Sequence, residues 1–201
     1  MRPDLKIIAD LVNPGARVLD LGCGEGELLA GLRAEKQVNG YGLDVDPDNI
    51  AICVGKGVNV IEQNLDQGLA NFPDDSFDMV VMTETLQSVR MPVLVLDEML
   101  RIGQECIVTF PNFGHWRSRW HLLLKGRMPM ARHLPHDWHD TPNIHLCTVK
   151  DFERLVRDKG LRIIQRFVAG ADHRNRPLMN LMPNLFGAIA FYRLGRPPCS
   201  R

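Results

Sequence analysis

Short apolar runs alternate with amphipathic segments along the first half of the chain. Apolar runs predict five buried strands, at residues 16–21, 37–43, 58–62, 77–82 and 105–110. Apolar residues recur at a helical period in four segments, at residues 4–12, 27–35, 47–56 and 92–101. This alternation predicts an α/β fold, in which a doubly wound and mainly parallel sheet carries helices on both faces.

The second half of the chain is less regular. Residues 112–145 contain the tryptophans, most of the histidines and several prolines. A helix is predicted at residues 148–159, where Thr148 with Asp151 three residues later is close to a capping box. Apolar strands at residues 161–168 and 186–194 then predict an antiparallel hairpin at the edge of a seven-stranded sheet.

The length of 201 residues is typical of one domain, so we expect a single domain over residues 1–201. Its expected parts are a ligand-binding half (about 1–110), an insert (about 112–147), and a C-terminal helix and hairpin (about 148–195). The insert follows the fifth strand and should lie at the ligand side of the sheet, as a lid or a partner-facing segment.

A glycine-rich turn joins the first strand to the following helix. Asp20 ends the strand, and Gly22, Gly24 and Gly26 follow at every second position. Such a turn leaves backbone N–H groups bare at a helix N-terminus, where a ligand can approach them. The alternative is an ordinary strand–helix connection whose glycines serve only the turn.

The spacing and charge of this turn favour one kind of ligand. The dinucleotide fingerprint requires a glycine at its sixth position, which is Glu27 in this chain. Carboxylates at Asp20, Glu25 and Glu27 would repel a diphosphate and attract an ammonium or sulfonium group. A cationic adenosyl compound is therefore predicted rather than NAD or FAD.

Polar residues also end the next two predicted strands. Asp44 lies 22 positions after Gly22, where an acid can accept hydrogen bonds from both ribose hydroxyls. Asn64 and the backbone N–H beside it follow the third strand, where they could contact an adenine edge. The alternative for Asp44 is a solvated loop acid or a helix cap, a role that suits Asp46 better.

Composition and cysteine usage indicate which partners and which cellular compartment to expect. Lys and Arg total 24 and Asp and Glu total 24, so no general attraction to nucleic acid or membrane is expected. No apolar run approaches the length of a membrane span, and the first residues do not form a signal peptide. The five cysteines are scattered and odd in number, as expected of reduced thiols in a cytoplasmic protein.

Three runs, VLDLGCGEGELL, YGLDVDP and DDSFDMVVM, resemble class I S-adenosylmethionine-dependent methyltransferases over about residues 15–110. The resemblance implies a Rossmann-like class I methyltransferase fold and S-adenosylmethionine or S-adenosylhomocysteine as cofactor. It places Asp20 and the glycines beside the methionine and ribose, and Asp44 on the ribose. That family commonly has an aspartate where Asn64 stands, which alters the adenine contact. The full predicted cofactor-binding set is Asp20, Gly22, Cys23, Gly24, Gly26, Asp44, Val45, Asn64 and Leu65.

Further segments are similar to the MetW family of methionine biosynthesis proteins: KGVNVIEQNLDQGLANFPDDSFD, TETLQSV, VTFPNFGHWRSRWHLLLKGRMP and DTPNIHLCTVKDFERL. These segments extend the resemblance over about residues 3–195. The resemblance implies a role in methionine synthesis and a homoserine O-acyltransferase as a protein partner, whose activity the chain supports. It does not imply that the chain itself transfers a methyl group.

No residue is predicted to be catalytic. The segment after the fourth strand lacks an Asn/Asp-Pro-Pro-Tyr motif, and Gln87 stands where many small-molecule methyltransferases have a histidine. Glu84 could act as a base, or it could be a solvated or substrate-orienting acid. Two hypotheses remain: a cofactor-binding partner protein, and an active methyltransferase of a small molecule.

Two features of the insert have open interpretations. Trp116, Trp120, Leu123 and Leu124 share a predicted helical face beside basic residues. Such a face is typical of a protein interface and equally of a helix packed on its own sheet. It is too short to predict nucleic-acid binding in a chain of neutral charge.

A cluster of possible metal ligands in the insert suggests a metal site. Its histidines are His133, His136, His139 and His145, and Asp137, Asp140 and Cys147 accompany them. Pro135 and Pro142 bracket its centre, and the paired Cys and His spacing of a zinc site is absent from the sequence. We therefore predict structural or substrate-side polar residues and no metal.

Overall fold

The elements alternate as the sequence pattern predicts. A computed structural model describes residues 2–131, 134, 136–172 and 177–197. The helices are α1 (Pro3–Leu11), α2 (Glu27–Lys36), α3 (Pro47–Gly55), α4 (Pro92–Ile102), α5 (Trp116–Lys125), α6 (Val149–Asp158) and α7 (Pro183–Phe186). The strands are β1 (Arg17–Leu21), β2 (Asn39–Asp44), β3 (Asn59–Glu62), β4 (Phe77–Thr83), β5 (Gly103–Pro111), β6 (Arg162–Ala169) and β7 (Ile189–Gly195). Short 3-10 turns lie at Leu65–Gln67 and Pro177–Asn180.

The strands form one seven-stranded sheet in the order β3-β2-β1-β4-β5-β7-β6. The pairs from β3 through β5 are parallel, and β7 runs antiparallel to both β5 and β6. This arrangement confirms the predicted fold class, a mainly parallel doubly wound sheet with a C-terminal antiparallel hairpin. Because β6 runs parallel to β5, the β6–β7 loop and the β5–α5 loop lie at the same carboxyl edge of the sheet.

The last strand begins later than the sequence pattern predicts. The apolar run from Phe186 predicts a strand at 186–194, whereas Phe186 ends α7 and β7 starts at Ile189. Pro183 explains the difference, because proline at the first helical position favours a helical turn over strand pairing. The predicted capping box at Thr148 and Asp151 is confirmed at the start of α6.

Two apolar clusters cover the two faces of the sheet. One contains Leu19 and Leu21 of β1 with the buried residues of α4 and α6. The other contains Val18 of β1 with those of α1 and α2. Because side chains alternate between faces along a strand, Asp20 points to the same face as Val18, beneath α1 and α2. The carboxylate is thus only 2% exposed at the carboxyl end of a central strand.

Within the part of the chain that the structure describes, no helix has the length and apolar character needed to cross a membrane.

Candidate functional site

The glycine turn is held by the neighbouring strand. The backbone N–H groups of Gly22 and Cys23 both donate to the Leu43 carbonyl, at 2.8 and 3.0 Å. The N–H of Gly24 donates to Asp44 Oδ2 at 2.8 Å. The carboxyl ends of β1 and β2 therefore meet at this turn, as the sequence predicts for a doubly wound sheet.

Asp44 organises the backbone on both sides of the turn. Its Oδ1 accepts hydrogen bonds of 2.9 Å from the N–H groups of Val45 and Asp46. The Asn49 amide lies 3.4 Å from the same oxygen. Val45 itself is 57% exposed, so its N–H rather than its side chain takes part in the turn.

A cavity of about 400 Å³ opens at the turn. It brings together four predicted site residues, Asp20, Gly22, Cys23 and Gly24. Leu5 of α1 and Arg2, the residue before α1, close one side of it. The remaining walls come from Glu25, Glu27, Leu28, Asn49 and Thr83.

Asp20 is the buried charge of this cavity. Its Oδ1 is buried and has no hydrogen-bond partner in the protein. Burial, reinforced by the negative charge of Asp44, raises the pKa of Asp20 to about 7. A buried carboxylate without a partner is costly, so a ligand that brings a donor or a positive charge would be stabilised here.

The glycines of the turn have different roles. A Cβ at Gly22, where φ is +73°, would lie 2.6 Å from Thr85 Oγ1. A Cβ at Gly26 would lie 2.8 Å from Cys53 Sγ, so this glycine permits close packing behind the turn. Gly24 has φ +53° and no atom within 4 Å of its Cβ position, so its open side is accessible to a ligand.

Two acids of the turn have cationic or N–H partners. Lys56 Nζ donates to the Glu25 carbonyl at 2.9 Å and lies 3.4 Å from its carboxylate. Glu27 accepts a 2.9 Å hydrogen bond from the backbone N–H of Arg2. The attraction for a positive ligand therefore rests mainly on Asp20, whose Oδ1 has no hydrogen-bond partner, rather than on all the acids that the sequence singles out.

The two cysteines beside the turn are neutral thiols. Cys53 Sγ donates to the Gly24 carbonyl at 3.1 Å, and Cys23 Sγ lies 3.7 Å from the same oxygen. Burial raises the pKa of both thiols. They pack against the turn and are poor nucleophiles in this state.

The predicted adenine-side residues lie at the end of β3, next to Asp44. Gln63 N donates to the Asp44 carbonyl at 3.0 Å, which joins the two strand ends. Asn64 caps the following 3-10 turn through a 2.9 Å bond to the Asp66 N–H, and Leu65 is buried. Because Asn64 Oδ1 accepts this bond, the NH₂ group of the same side chain is the part that could contact a ligand.

Sequence reasoning missed several cavity residues. Thr83 ends β4, the strand that pairs with β1, and its buried Oγ1 has no hydrogen-bond partner. Thr83 could have been predicted from the order of the strands, because β4 pairs with β1. Asn49 could have been predicted from its position at the start of α3, shortly after Asp44. Nothing in the sequence indicated Arg2 and Leu5, because their position depends on how α1 packs.

The loop after β4 contains the candidate base Glu84. Glu84 adopts a left-handed backbone with φ +50°, and its N–H donates to Thr109 Oγ1 at 3.0 Å. Gln87 is buried, its amide donates to the Glu84 carbonyl, and its Oε1 has no hydrogen-bond partner. Left-handed non-glycine residues often occur at functional sites, so Glu84 stays a candidate.

The histidine cluster gives no metal centre in the described residues. No group of three or more His, Cys, Asp or Glu side chains within the described ranges could hold a metal ion. His133 and Pro135 of the predicted cluster lie outside those ranges. Asn112, which directly follows β5, is fully buried and bonds to the Gly114, Val149 and Gly187 backbones.

Comparison with known proteins decides the family. The model of the family described as "Methionine biosynthesis protein MetW" matches residues 2–194. This chain belongs to the MetW family. A curated relative from Rhodopirellula baltica, the bifunctional methionine biosynthesis protein MetXA/MetW, is 36% identical over 205 residues. The match covers 96% of this chain but 33% of the relative, so the chain spans about a third of that protein's length.

Solved structures with the same fold have different activities in their names. An S-adenosylmethionine-dependent methyltransferase from Mesorhizobium loti has a TM-score of 0.70 at 17% identity, covering 96% of this chain and 98% of that one. The [4+2]-cyclase SpnF has a TM-score of 0.67 at 16% identity, covering 96% and 80%. At these identities the likeness establishes the fold of this MetW-family chain and not its reaction.

Proposed function

We propose that this MetW-family chain binds S-adenosylmethionine or S-adenosylhomocysteine at the glycine turn. We further propose that it supports or regulates a homoserine O-acyltransferase as its protein partner. The observation that carries the partner proposal is the MetXA/MetW relative, which joins a MetW-like segment to a MetXA segment in one polypeptide. We take the MetXA segment to be the homoserine O-acyltransferase.

The cavity suits an adenosyl amino acid. Asp20 Oδ1 lacks a hydrogen-bond partner, and the ammonium group of the ligand would supply both donors and positive charge. The open side of Gly24 lets the ligand approach the backbone, and Asp44 lies beside it to accept from the ribose. The proposed ligand set is Asp20, Gly22, Cys23, Gly24, Gly26, Asp44, Val45, Asn64 and Leu65.

When the bound ligand is S-adenosylmethionine, it would supply a sulfonium group that carries a transferable methyl, whereas S-adenosylhomocysteine would supply a neutral thioether. In this chain the residues bind and orient rather than react. Asp20 and Asp44 would fix the two polar ends of the ligand, and Arg2 and Leu5 at the start of the chain would cover it. Ligand binding would then make the activity of the acyltransferase, an enzyme of methionine synthesis, depend on the level of the adenosyl cofactor. That cofactor is itself made from methionine.

A reconstitution tests the partner proposal. The purified homoserine O-acyltransferase of the same organism is assayed alone, with this chain, and with this chain plus saturating S-adenosylmethionine or S-adenosylhomocysteine. We expect the two proteins to co-elute and the acyltransferase activity to rise when the chain is present. Separate elution with unchanged activity would refute the partner proposal.

An active small-molecule methyltransferase is the second candidate. Its support is the fold shared with S-adenosylmethionine-dependent methyltransferases and the position of Glu84 directly after β4. It predicts that S-adenosylhomocysteine forms when the chain is incubated with S-adenosylmethionine and an acceptor. Tight cofactor binding without turnover across a broad metabolite panel would count against it.

The proposal includes a cytoplasmic location. The four described cysteines, Cys23, Cys53, Cys106 and Cys147, are all free thiols, as expected in a reducing compartment. Cys199 lies outside the described residues.

A further inference from the structure

Helix α5 turns its apolar side away from the protein. Ser118 is the buried residue of this ten-residue helix. At 100° per residue, Trp116, Trp120, Leu123 and Leu124 lie within about 100° of arc, and Ser118 lies on roughly the opposite side. The sequence left open whether this apolar face packs on its own sheet, and the burial of Ser118 shows that it does not.

The exposure of this face is large for apolar side chains. Leu123 is 75% exposed, Leu124 74% and Trp120 53%. Leaving such area in water costs about 25 cal/mol per Å² relative to burying it. Contiguous exposed apolar surface that includes tryptophan is typical of protein interaction sites.

A groove lies next to this face, at the carboxyl edge of the sheet. The groove has a volume of about 730 Å³ and lies between the start of α5 and the segment before β7. Trp116 lines one wall, and Leu181, Met182 and Phe186 line the other. Leu181 is 81% exposed, so apolar area is available on both walls. We call the α5 face and this groove together the α5 surface.

The charged residues of helix α5 are all basic, and the groove is also lined by the acid Asp172. Helix α5 contains Arg117, Arg119 and Lys125 and no acidic residue. Arg117 stacks over Trp116 at 5.3 Å, which keeps an arginine beside the apolar centre. A matching partner surface would be apolar at its centre and acidic at its rim.

The basic residues of α5 argue against a second copy docked helix to helix. A two-fold contact centred on α5 would bring the α5 helices of both copies together, and their basic residues would then face each other. The MetXA part of the bifunctional relative stays within reach of its MetW-like part at high effective concentration. We infer that the α5 surface docks an acidic-rimmed apolar surface of the homoserine O-acyltransferase, an inference that rests on the proposed function.

Neutral substitutions at exposed leucines test the inference without disturbing the core. The variant Leu123→Gln/Leu124→Gln removes apolar area, keeps the charge and retains good helix formers. Val54→Gln is the matched control, because Val54 is 64% exposed on α3 and lies away from the α5 surface. The dissociation constant of each protein for the purified acyltransferase is measured by calorimetry, with thermal unfolding to verify the fold.

We expect the double variant to bind the acyltransferase at least about tenfold more weakly than the wild type, and Val54→Gln to bind as the wild type does. Equal affinity of the double variant and the wild type would overturn the docking surface and leave the proposed function intact. If the wild type does not bind the acyltransferase, both proposals fail. Loss of self-association or of anionic-vesicle binding in the double variant, with acyltransferase binding unchanged, would also overturn the assignment.

Discussion

Gly24 and Asp44 lie 20 residues apart and are joined by a 2.8 Å hydrogen bond from the Gly24 N–H to Asp44 Oδ2. The bond ties the glycine turn after β1 to the acid that ends β2. Asp44 thus has a structural role in addition to the ribose contact proposed for it. A carboxylate has about four acceptor positions, so ribose hydroxyls would share Asp44 with backbone N–H groups.

Replacing Asp44 should weaken binding of the adenosyl ligand. We expect Asp44→Ala to reduce affinity for S-adenosylhomocysteine by roughly 1–3 kcal/mol, because charge-assisted hydrogen bonds are lost. Titration calorimetry measures the change. Asp46→Asn is the control, since it makes the same charge change two residues away and asparagine can still cap α3. Unchanged affinity in Asp44→Ala would show that the ribose assignment is wrong.

Ligand binding should release a proton near neutral pH. Burial raises the pKa of Asp20 to about 7, and a positive ligand group beside it would favour the ionised form. Affinity for S-adenosylmethionine should therefore rise between about pH 5.5 and 7.5, by at most tenfold per pH unit. Calorimetry in two buffers of different ionisation enthalpy counts the released protons. Asp20→Asn should abolish both the release and the pH dependence, and a release that persists in this variant would contradict the assignment to Asp20.

The same carboxylate should make the ligand-free protein less stable as pH rises. Its folded-state pKa of about 7 exceeds the ordinary value of 3.8, so the folded state holds the proton more tightly. Its contribution to stability is full below about pH 4 and is lost as pH rises through about 7. The loss has an upper bound of roughly 4 kcal/mol at 1.36 kcal/mol per pKa unit.

Urea unfolding at pH 5 and pH 8 measures this effect. Asp20→Asn does not titrate, so its free energy of unfolding should fall less than that of the wild type between the two pH values. Asp10→Asn, at an exposed position on α1, is the control for the loss of an acid. Equal pH dependence of the wild type and Asp20→Asn would show that Asp20 has no raised pKa.

Replacing two glycines of the turn with alanine should separate an effect on folding stability from an effect on ligand affinity. Gly22→Ala should reduce stability by roughly 1–3 kcal/mol, because it combines a positive φ with a Cβ that would lie 2.6 Å from Thr85 Oγ1. Gly24→Ala has only the backbone cost of about 1–2 kcal/mol, but its Cβ would occupy the ligand side of the turn. We expect Gly24→Ala to weaken ligand binding by at least about tenfold.

Gly15→Ala is the matched control for Gly24→Ala. Gly15 also has a positive φ, at +71°, and no atom within 4 Å of its Cβ position, but it lies in the turn before β1. The two variants should lose similar stability by thermal unfolding, and only Gly24→Ala should lose affinity. Equal affinities for the ligand would mean that the open side of Gly24 is not where the ligand lies.

Local patterns predicted most of the fold. The alternation of short apolar runs and amphipathic helices placed each strand from β1 to β6 to within a few residues, and the mainly parallel sheet follows from that order. The start of β7 was misplaced because Phe186 is apolar in either a strand or a helical turn. The position of β7 between β5 and β6 depends on long-range pairing, which no local pattern records.

Less of the candidate site could be predicted. The glycine turn, Asp20 and Asp44 were evident because their spacing follows from strand ends meeting at one edge. The partners of Glu25 and Glu27 depend on Lys56 and Arg2, which tertiary packing brings to them. The apolar pattern of α5 is the same for a packed and an exposed helix, so only the three-dimensional structure distinguishes the two.

Gln87 connects the candidate site to the insert. Its carbonyl accepts hydrogen bonds from the N–H groups of both Ile144 and His145, at 2.9 and 3.0 Å. Thr85, two residues earlier, lies against Gly22. If a ligand at the turn changes the affinity for the acyltransferase through this loop, thermodynamic linkage requires the acyltransferase to change ligand affinity by the same factor. The amount of acyltransferase in a cell would then set the cofactor concentration at which this chain responds. The abundance of the acyltransferase would therefore adjust the feedback on its own activity.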